Sequence, residues 1–522
     1  MDISHIGLLA YVPPLMLGGA ALSALVLRSP KRVFQIGSAA AALSIGIALL
    51  AGGLVYSMGA LTSPLIGVGQ VGLTARLDAL STVILWLVAF LGLLIIRFSY
   101  NYLDGDERHT VFLGRLYLTI GAVIVFVLAG NVWQLLLGWV ATSLTLHQLL
   151  IFYDERPRAI RAARKKFIVA RLGDVSLLTA VVLLVTTFGT GDVAQLGEAT
   201  RNAFEGGNAP TGAQVAAALV VITAILKSAM FPFHGWLLEV METPTPVSAL
   251  LHAGLLNAGI YLVVRFGSLV FLSTPALVLL ILVGGFTALF ASTVMITQTS
   301  VKVSLAYSSA AHMGFMLMLC GFGAHSVAIM HLVAHSFYKA HAFLSSGSFV
   351  EYVQHTGSQK LNTPPKPLAA LANVGLSLTI FVAIGSALGI ELTKRPGETA
   401  LGAIFVMAVA HLLIKGTTGR APLFVITRTM LAAVGVTLAF FALELSAAAI
   451  LGSSVAILPQ PNTFTLGVMV FAVAAFAAVT LLGSMLPALA NKPAWQALYV
   501  HLKNGLYANT LFDRLLREES VR

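Results

Sequence analysis

Apolar residues fall along this chain in runs of about twenty, separated by short polar connections. Fifteen runs lie near 6–27, 33–58, 77–98, 111–129, 131–152, 167–187, 214–231, 248–272, 276–297, 301–321, 325–350, 368–390, 400–415, 423–446 and 464–486. A helix of about 20 residues rises roughly 30 Å, enough to cross a hydrocarbon core. The pattern predicts an all-α fold, a polytopic membrane helix bundle of about 14–15 spans, with the 400–415 run short for one. No connection is long enough for a separate soluble domain. The chain ends differently, in PAWQALYVHLKNGLYANTLFDRLL. There Trp495, Leu498, Tyr499, Leu502 and Leu506, then Leu511, Phe512, Leu515 and Leu516, recur at helical spacing. Too polar to span, this stretch predicts an amphipathic helix on the membrane, on a partner, or on the bundle itself.

Composition sharpens this reading. Of 522 residues, 58% are hydrophobic and only 10% charged, against about 25% charged in a soluble domain. The net charge of +11 does not point to nucleic acid, because the basic residues sit in connections, where they set orientation. The richest connection is 153–166, YDERPRAIRAARKK. Placed in the cytoplasm, it brings Arg28, Lys31 and Arg32 to the same side and leaves the Gly-rich connection 188–213 outside. The N-terminus is then outside, and an odd number of crossings puts the C-terminus inside. The first run lacks a basic leader and reads as a retained helix. A single cysteine, Cys320, excludes an intrachain disulfide and a cysteine-rich metal site.

Polar residues inside the runs carry the chemistry. Lys227 ends the run AQVAAALVVITAILK. A lysine at bilayer depth costs about 2.5–3.5 kcal/mol and is kept where it faces protein, water or a partner charge. FPFHGWLLEVMETPTPVSALLHA follows, with Glu239, Glu242 and His252. Pro244 and Pro246 cannot continue a regular helix, so 232–247 predicts a break between helix pieces inside the bundle.

In a second stretch, 301–350, His331, His335 and Lys339 are spaced by four, which sets them in one stripe along a helix. Histidine gains and loses protons near neutral pH, and a desolvated lysine can join the exchange. Lys302 and His312 lie on the preceding run, so a polar row across two helices is expected to pass protons. The alternatives are structural hydrogen bonding and a metal site. For the metal, no nearby Cys or carboxylate completes a ligand set.

A third stretch, KKFIVARLGDVSLL, holds Arg171 and Asp174 three apart. They suit a local pair, or Asp174 reaches Lys227, holding its proton and releasing it when the carboxylate moves.

At these residues the sequence resembles the antiporter-like subunits of respiratory complex I and of the multisubunit cation/proton antiporters, the NADH-quinone oxidoreductase chain 5 type above all. The resemblance is carried by KSAMFPFHGWLLEVMETPTPVSALLHAG at 227–254, VKVSLAYSSAAHMGFM, HLVAHSFYKAHAFLSSGS, RLDALS at 76–81 and ARLGDV at 170–175. It is strong over about 75–350 and weak over 1–75 and 356–490. It implies two inverted five-helix repeats with broken helices, a first repeat over 111–272 and a second over 273–420. These are flanked by membrane helices at 1–110 and 421–490 and an amphipathic cytoplasmic tail at 491–522. It also implies that Lys227, Lys302, His331, His335 and Lys339 line a proton path, with Glu239, His252 and His312 beside it. Lys394, in GIELTKRPGE, or Lys415, in VAHLLIKG, stands for a late lysine.

Departures from that family matter. After Trp139 the family usually has a glutamate that pairs with the lysine matching Lys227, and here Val140 stands instead. The next polar residue on that face is His147, so Asp174, with His147, is expected to partner Lys227. The family's Pro-Asp before Pro-Thr-Pro is Leu238-Glu239. The long lateral helix and final span of chain 5 are not expected from the C-terminal sequence. A shortened relative with NGLYANTLFDRLL resembles the DabB-type membrane subunits of two-part bacterial inorganic carbon transporters. That resemblance implies a multi-pass inner-membrane protein that passes protons or sodium ions down their gradient. It also implies a large cytoplasmic zinc-binding DabA-type partner, related to β-carbonic anhydrase, that turns CO2 into bicarbonate. No motif here binds NAD, flavin, quinone or zinc, so no cofactor and no catalysis are expected of the chain alone. The alternatives are a respiratory-complex subunit and a cation/proton antiporter subunit.

Overall fold

A computed structural model describes residues 3–346, 367–391, 395–417, 422–452, 454–455, 460–489 and 491–515. Each of the fifteen apolar runs is mainly helical among the described residues. Among the described residues, twelve helices are long and apolar enough to cross a membrane. They are Gly7–Val26, Pro30–Met58, Ala79–Tyr102, His109–Val127, Pro157–Phe188, Thr245–Arg265, Thr274–Met295, Val301–Gly321, Leu368–Ala387, Pro396–Thr417, Leu423–Leu451 and Thr463–Met485. The other three runs form Val132–Leu150, Thr211–Lys227 and His325–Leu344. Thr211–Lys227 is short at 17 residues. The other two are long enough but too polar, because they carry Gln134, Thr142, Ser143 and His147, or His331, His335 and Lys339. These three helices, too short or too polar, hold Lys227, His147, His331, His335 and Lys339, whereas Asp174, His252, Lys302 and His312 lie on helices that qualify.

The sequence pattern misses several elements. The connection after Met58 forms two short antiparallel pairings, Leu61–Thr62 with Arg76–Leu77 and Ile66–Val68 with Val71–Leu73. The connection 188–213 is not a plain loop: Asp192 accepts from the amides of Ala194 and Gln195 and starts the helix Val193–Glu205. The basic stretch 153–166 is also not a solvated loop throughout. Pro157 suits a helix start, and the helix Pro157–Phe188 takes in the rest. Lys165 and Lys166 are buried there, not exposed with the other basic residues.

One pair staples the bundle across 187 residues of sequence. Asp78 caps Ala79–Tyr102, accepting from the Ser81 amide. Its carboxylate also meets Arg265 at 2.5 and 3.1 Å and Arg76 at 2.9 Å. Arg265 donates in turn to the Tyr261 hydroxyl at 2.8 Å, and that hydroxyl donates to the Val127 carbonyl.

Candidate ion-translocation site

The helix carrying Lys227 stops because the next residues cannot extend it. Ala229 turns left-handed at φ 52°, a conformation costing a non-glycine residue about 1–2 kcal/mol, and Pro232 follows. Short pieces then run Gly235–Glu239 and Val240–Glu242, and Pro244 and Pro246 open a new helix, Thr245–Ala253. The prolines thus start a helix at its first turn, where a missing amide proton costs nothing. A second break, not foreseen, lies in the same span. Gly254 and the tight turn Leu255–Asn257 separate Thr245–Ala253 from Ala258–Arg265.

Lys227 sits between two cavities. One is mainly apolar and is lined by Trp139, Thr142, Lys227, Asn257, Tyr261 and Leu332. The other is lined by Lys166, Val169, Lys227, Trp236 and Leu251. The Lys227 ammonium lies 4.6 Å from the centre of the Trp139 ring. It makes no hydrogen bond and no salt bridge among the described residues. With Val140 following Trp139, the ammonium has an aromatic face as its neighbour, a contact of about 0.5–2 kcal/mol.

The expected direct pair between Asp174 and Lys227 is not formed. Asp174 pairs with Arg171 at 2.7 Å, the local alternative. The reason is spacing: three residues on, the two side chains share a helix face. Asp174 and Lys227 still feel each other's charge. His147 is not on Lys227 either. Its ring packs 5.2 Å from that of Phe167, and it lies beside Lys166 and Arg171. Lys166 reaches Ser143, donating to its carbonyl at 2.7 Å and its hydroxyl at 3.1 Å. Asp174→Asn would strip Arg171 of its counter-charge next to Lys227. We expect ion flux to fall about tenfold, an effect of about 1.4 kcal/mol, in liposomes holding a pH-sensitive dye. An unchanged rate would assign the pair to structure alone.

The second cluster gathers as the four-residue spacing predicts. His312 Nδ1 lies 3.0 Å from His331 Nε2, and the His312 and His335 rings are 4.9 Å apart. Lys339, fully buried, donates to the Leu305 carbonyl at 3.0 Å. His252 is fully buried on the broken span, stacked on Phe343 at 4.4 Å. Neither nitrogen of His252 or His335 has a partner among the described residues. The two halves meet at Asn257, which lines the cavity of Lys227 and donates to the Ser336 hydroxyl at 2.8 Å. Ser336 follows His335 directly.

Other predicted residues fall elsewhere. Lys302 is half-buried and reaches the Thr245 hydroxyl at 3.4 Å, at the end of the bundle where the Pro-Thr-Pro helix begins. Glu239 faces Lys165 at 2.5 Å rather than the row of histidines. Lys415 is exposed in the last turn of its helix, one turn after the half-buried His411. Lys394 lies outside the described residues. Buried groups missed include Lys165 and Lys166, read as loop charges, and His109, which lies outside the 111–129 run but begins His109–Val127 and is buried.

Comparison with known proteins fits this geometry. Residues 129–394 match the family model described as NADH:quinone oxidoreductase/Mrp antiporter, TM, and 66–113 match the complex I chain 5 N-terminus model. The chain belongs to the NADH:quinone oxidoreductase/Mrp antiporter family. Within this family it is 37% identical to the "Probable inorganic carbon transporter subunit DabB2" of Halothiobacillus neapolitanus, over 86% of this chain and 81% of that one. It is 43% identical to the DabB protein of Hydrogenovibrio crunogenus, over 52% of each chain. Escherichia coli NADH-quinone oxidoreductase subunit L matches at 36% over 60% of this chain and 51% of that one. Like other members of the NADH:quinone oxidoreductase/Mrp antiporter family, the chain is a multi-pass membrane protein. Its fold resembles the Mrp complex from Dietzia, with a TM-score of 0.63 at 23% identity over 98% of this chain and 60% of that one.

Proposed function

We propose that this chain is the ion-conducting membrane subunit of an inorganic carbon transporter in a bacterial inner membrane, and that the ion is the proton. One observation carries the ion path. Titratable groups, buried or half-buried, run from Lys227, through the cavity it shares with Asn257, to Ser336 and then to His335, His331, His312 and Lys339. Groups at such spacings pass protons through hydrogen bonds and intervening water. Arg171 and Asp174 would set the charge felt by Lys227. The similarity to DabB-type proteins supports the carbon half of the reading. A DabA-type zinc-binding subunit in the cytoplasm would then do the carbon chemistry, and this chain would be no enzyme by itself. Each proton crossing 100 mV releases about 2.3 kcal/mol, enough to bias CO2 hydration strongly.

The test is growth of a CO2-requiring strain carrying this chain and its partner gene. His335→Ala is expected to lower rescue about tenfold or more, whereas His341→Ala and His501→Ala, both exposed, should leave it intact. Equal tolerance at all three positions would make the cluster structural. Sodium-dependent flux by the purified chain, with no carbon phenotype, would favour the antiporter reading that the likeness to the Mrp complex raises.

A further inference from the structure

Lys165 has a place that the ion path does not explain. It is fully buried, one residue before Lys166, which lines a cavity with Lys227 and whose ammonium donates to Ser143. Lys165 points the other way. Its ammonium meets Glu239 at 2.5 Å, Asp513, and the Asn509 side-chain oxygen at 3.4 Å. Three acceptors match the three protons of an ammonium. Asn509 closes the ring by donating to Glu239 at 2.7 Å. Glu239 belongs to the helix break and Asn509 and Asp513 to the C-terminal helix Ala508–Leu515.

The break piece held in this way is the floor of the Lys227 cavity. In the helix Gly235–Glu239, Trp236 lines the cavity with Lys166 and Lys227. Gly235 lies so close to Asn509 that a Cβ there would sit 2.0 Å from its side-chain oxygen. Phe512 packs edge-on against Phe233. The tail cannot leave this position without freeing the piece that carries Trp236. The chain also enters the latch under strain. Gly505, Leu506 and Tyr507 all have positive φ, at 59°, 51° and 59°, and the two side-chain-bearing residues are costly there. Preceding this turn, Pro493–Lys503 has no buried residue and is held lightly, by Leu502 against the core and by the Gln298 side-chain amide donating to the Lys503 carbonyl at 3.2 Å, so one arm is clamped and the other lies largely exposed.

We propose that Lys165, Glu239, Asn509 and Asp513 form a latch by which the C-terminal tail holds the floor of the Lys227 cavity shut, and that pulling on the exposed, lightly held arm opens it. The proposal rests on the reading of Lys227 as a path residue. It makes Glu239 and Lys165 positioning residues, not members of the path. A subunit that carries out chemistry on the tail side would let ions through only when engaged, and the membrane would not leak without it.

The full-length chain, reconstituted alone in liposomes with an internal pH dye and a potassium-diffusion potential, tests this. Asp513→Asn and Asn509→Ala are expected to raise proton entry about tenfold or more over the wild type, and Asp513→Glu to restore tightness. Asn509→Ala alters no charge and serves if Asp513→Asn misfolds. Adding Lys227→Ala should remove the gain. Variants as tight as the wild type, or a wild type already as leaky as the variants, would overturn the latch. A gain that survives Lys227→Ala would support the latch and take Lys227 out of the path.

Discussion

Lys227→Ala is expected to abolish proton entry and carbon-dependent growth, at least about a hundredfold, while the chain still inserts and purifies as the wild type does. Insertion is not at risk, because the change removes a residue that costs about 2.5–3.5 kcal/mol at bilayer depth. Packing loss is small, since the ammonium borders two cavities and touches mainly the Trp139 face. Lys227→Arg separates charge from proton transfer. A guanidinium keeps the charge and the aromatic contact but does not give up its proton. It should therefore be as inactive as alanine. Flux measured across liposomes decides the matter, and substantial activity in the arginine variant would mean that Lys227 acts as a fixed charge.

The second large effect falls on stability. Asp78→Asn keeps a helix cap but leaves Arg265 buried without its counter-charge. Breaking such a pair on one side costs about 3–5 kcal/mol. The unfolding midpoint in detergent should fall by several degrees, with flux per folded molecule unchanged. The double change Asp78→Asn with Arg265→Gln should recover most of the loss, because no lone charge remains. If the double variant is less stable than the single one, the pair is not what is being measured. Burial pushes the Asp78 carboxyl up, but Arg265 and then Arg76 pull it further down, so the net position is well below the usual carboxylate range. A depressed carboxylate stabilises at every pH above its unfolded value of about 3.9 and loses that contribution only as pH falls below it. The destabilisation by Asp78→Asn should therefore be the same at pH 6 and pH 8.

Sequence pattern exposes what is local and hides what is distant. The apolar runs, the break after Lys227 and the His331–His335–Lys339 stripe were legible, because each depends on spacing within a single helix or turn. The Arg171–Asp174 pair was legible for the same reason, though it competed with a longer-range alternative that the structure does not adopt as a direct contact. Lys165 was not. Its neighbours Arg164 and Lys166 made it look like one more charge in a basic connection, and its partners lie 74 and 344 residues away. The Asp78–Arg265 pair spans 187 residues and is equally silent in the pattern. Composition did offer one clue to Lys165 and Lys166. Pro157 marks a helix start, and eight residues further in is already two turns deep.

Three helices that fall short as spans have a consequence for how the chain is made. Val132–Leu150 and His325–Leu344 each leave the ribosome as a segment that a translocon would not release into lipid on its hydropathy alone, and Thr211–Lys227 is apolar but short at 17 residues. Each is flanked by neighbours that qualify, so it has to be carried in with them or held at the translocon until its partners arrive. For His325–Leu344 the partner is already there, in Val301–Gly321, whose His312 meets its histidines. For Val132–Leu150 part of the shelter is Pro157–Phe188, still to be synthesised, whose Lys166 finds Ser143. The residues proposed to carry the ion path are also the ones that make its assembly depend on order.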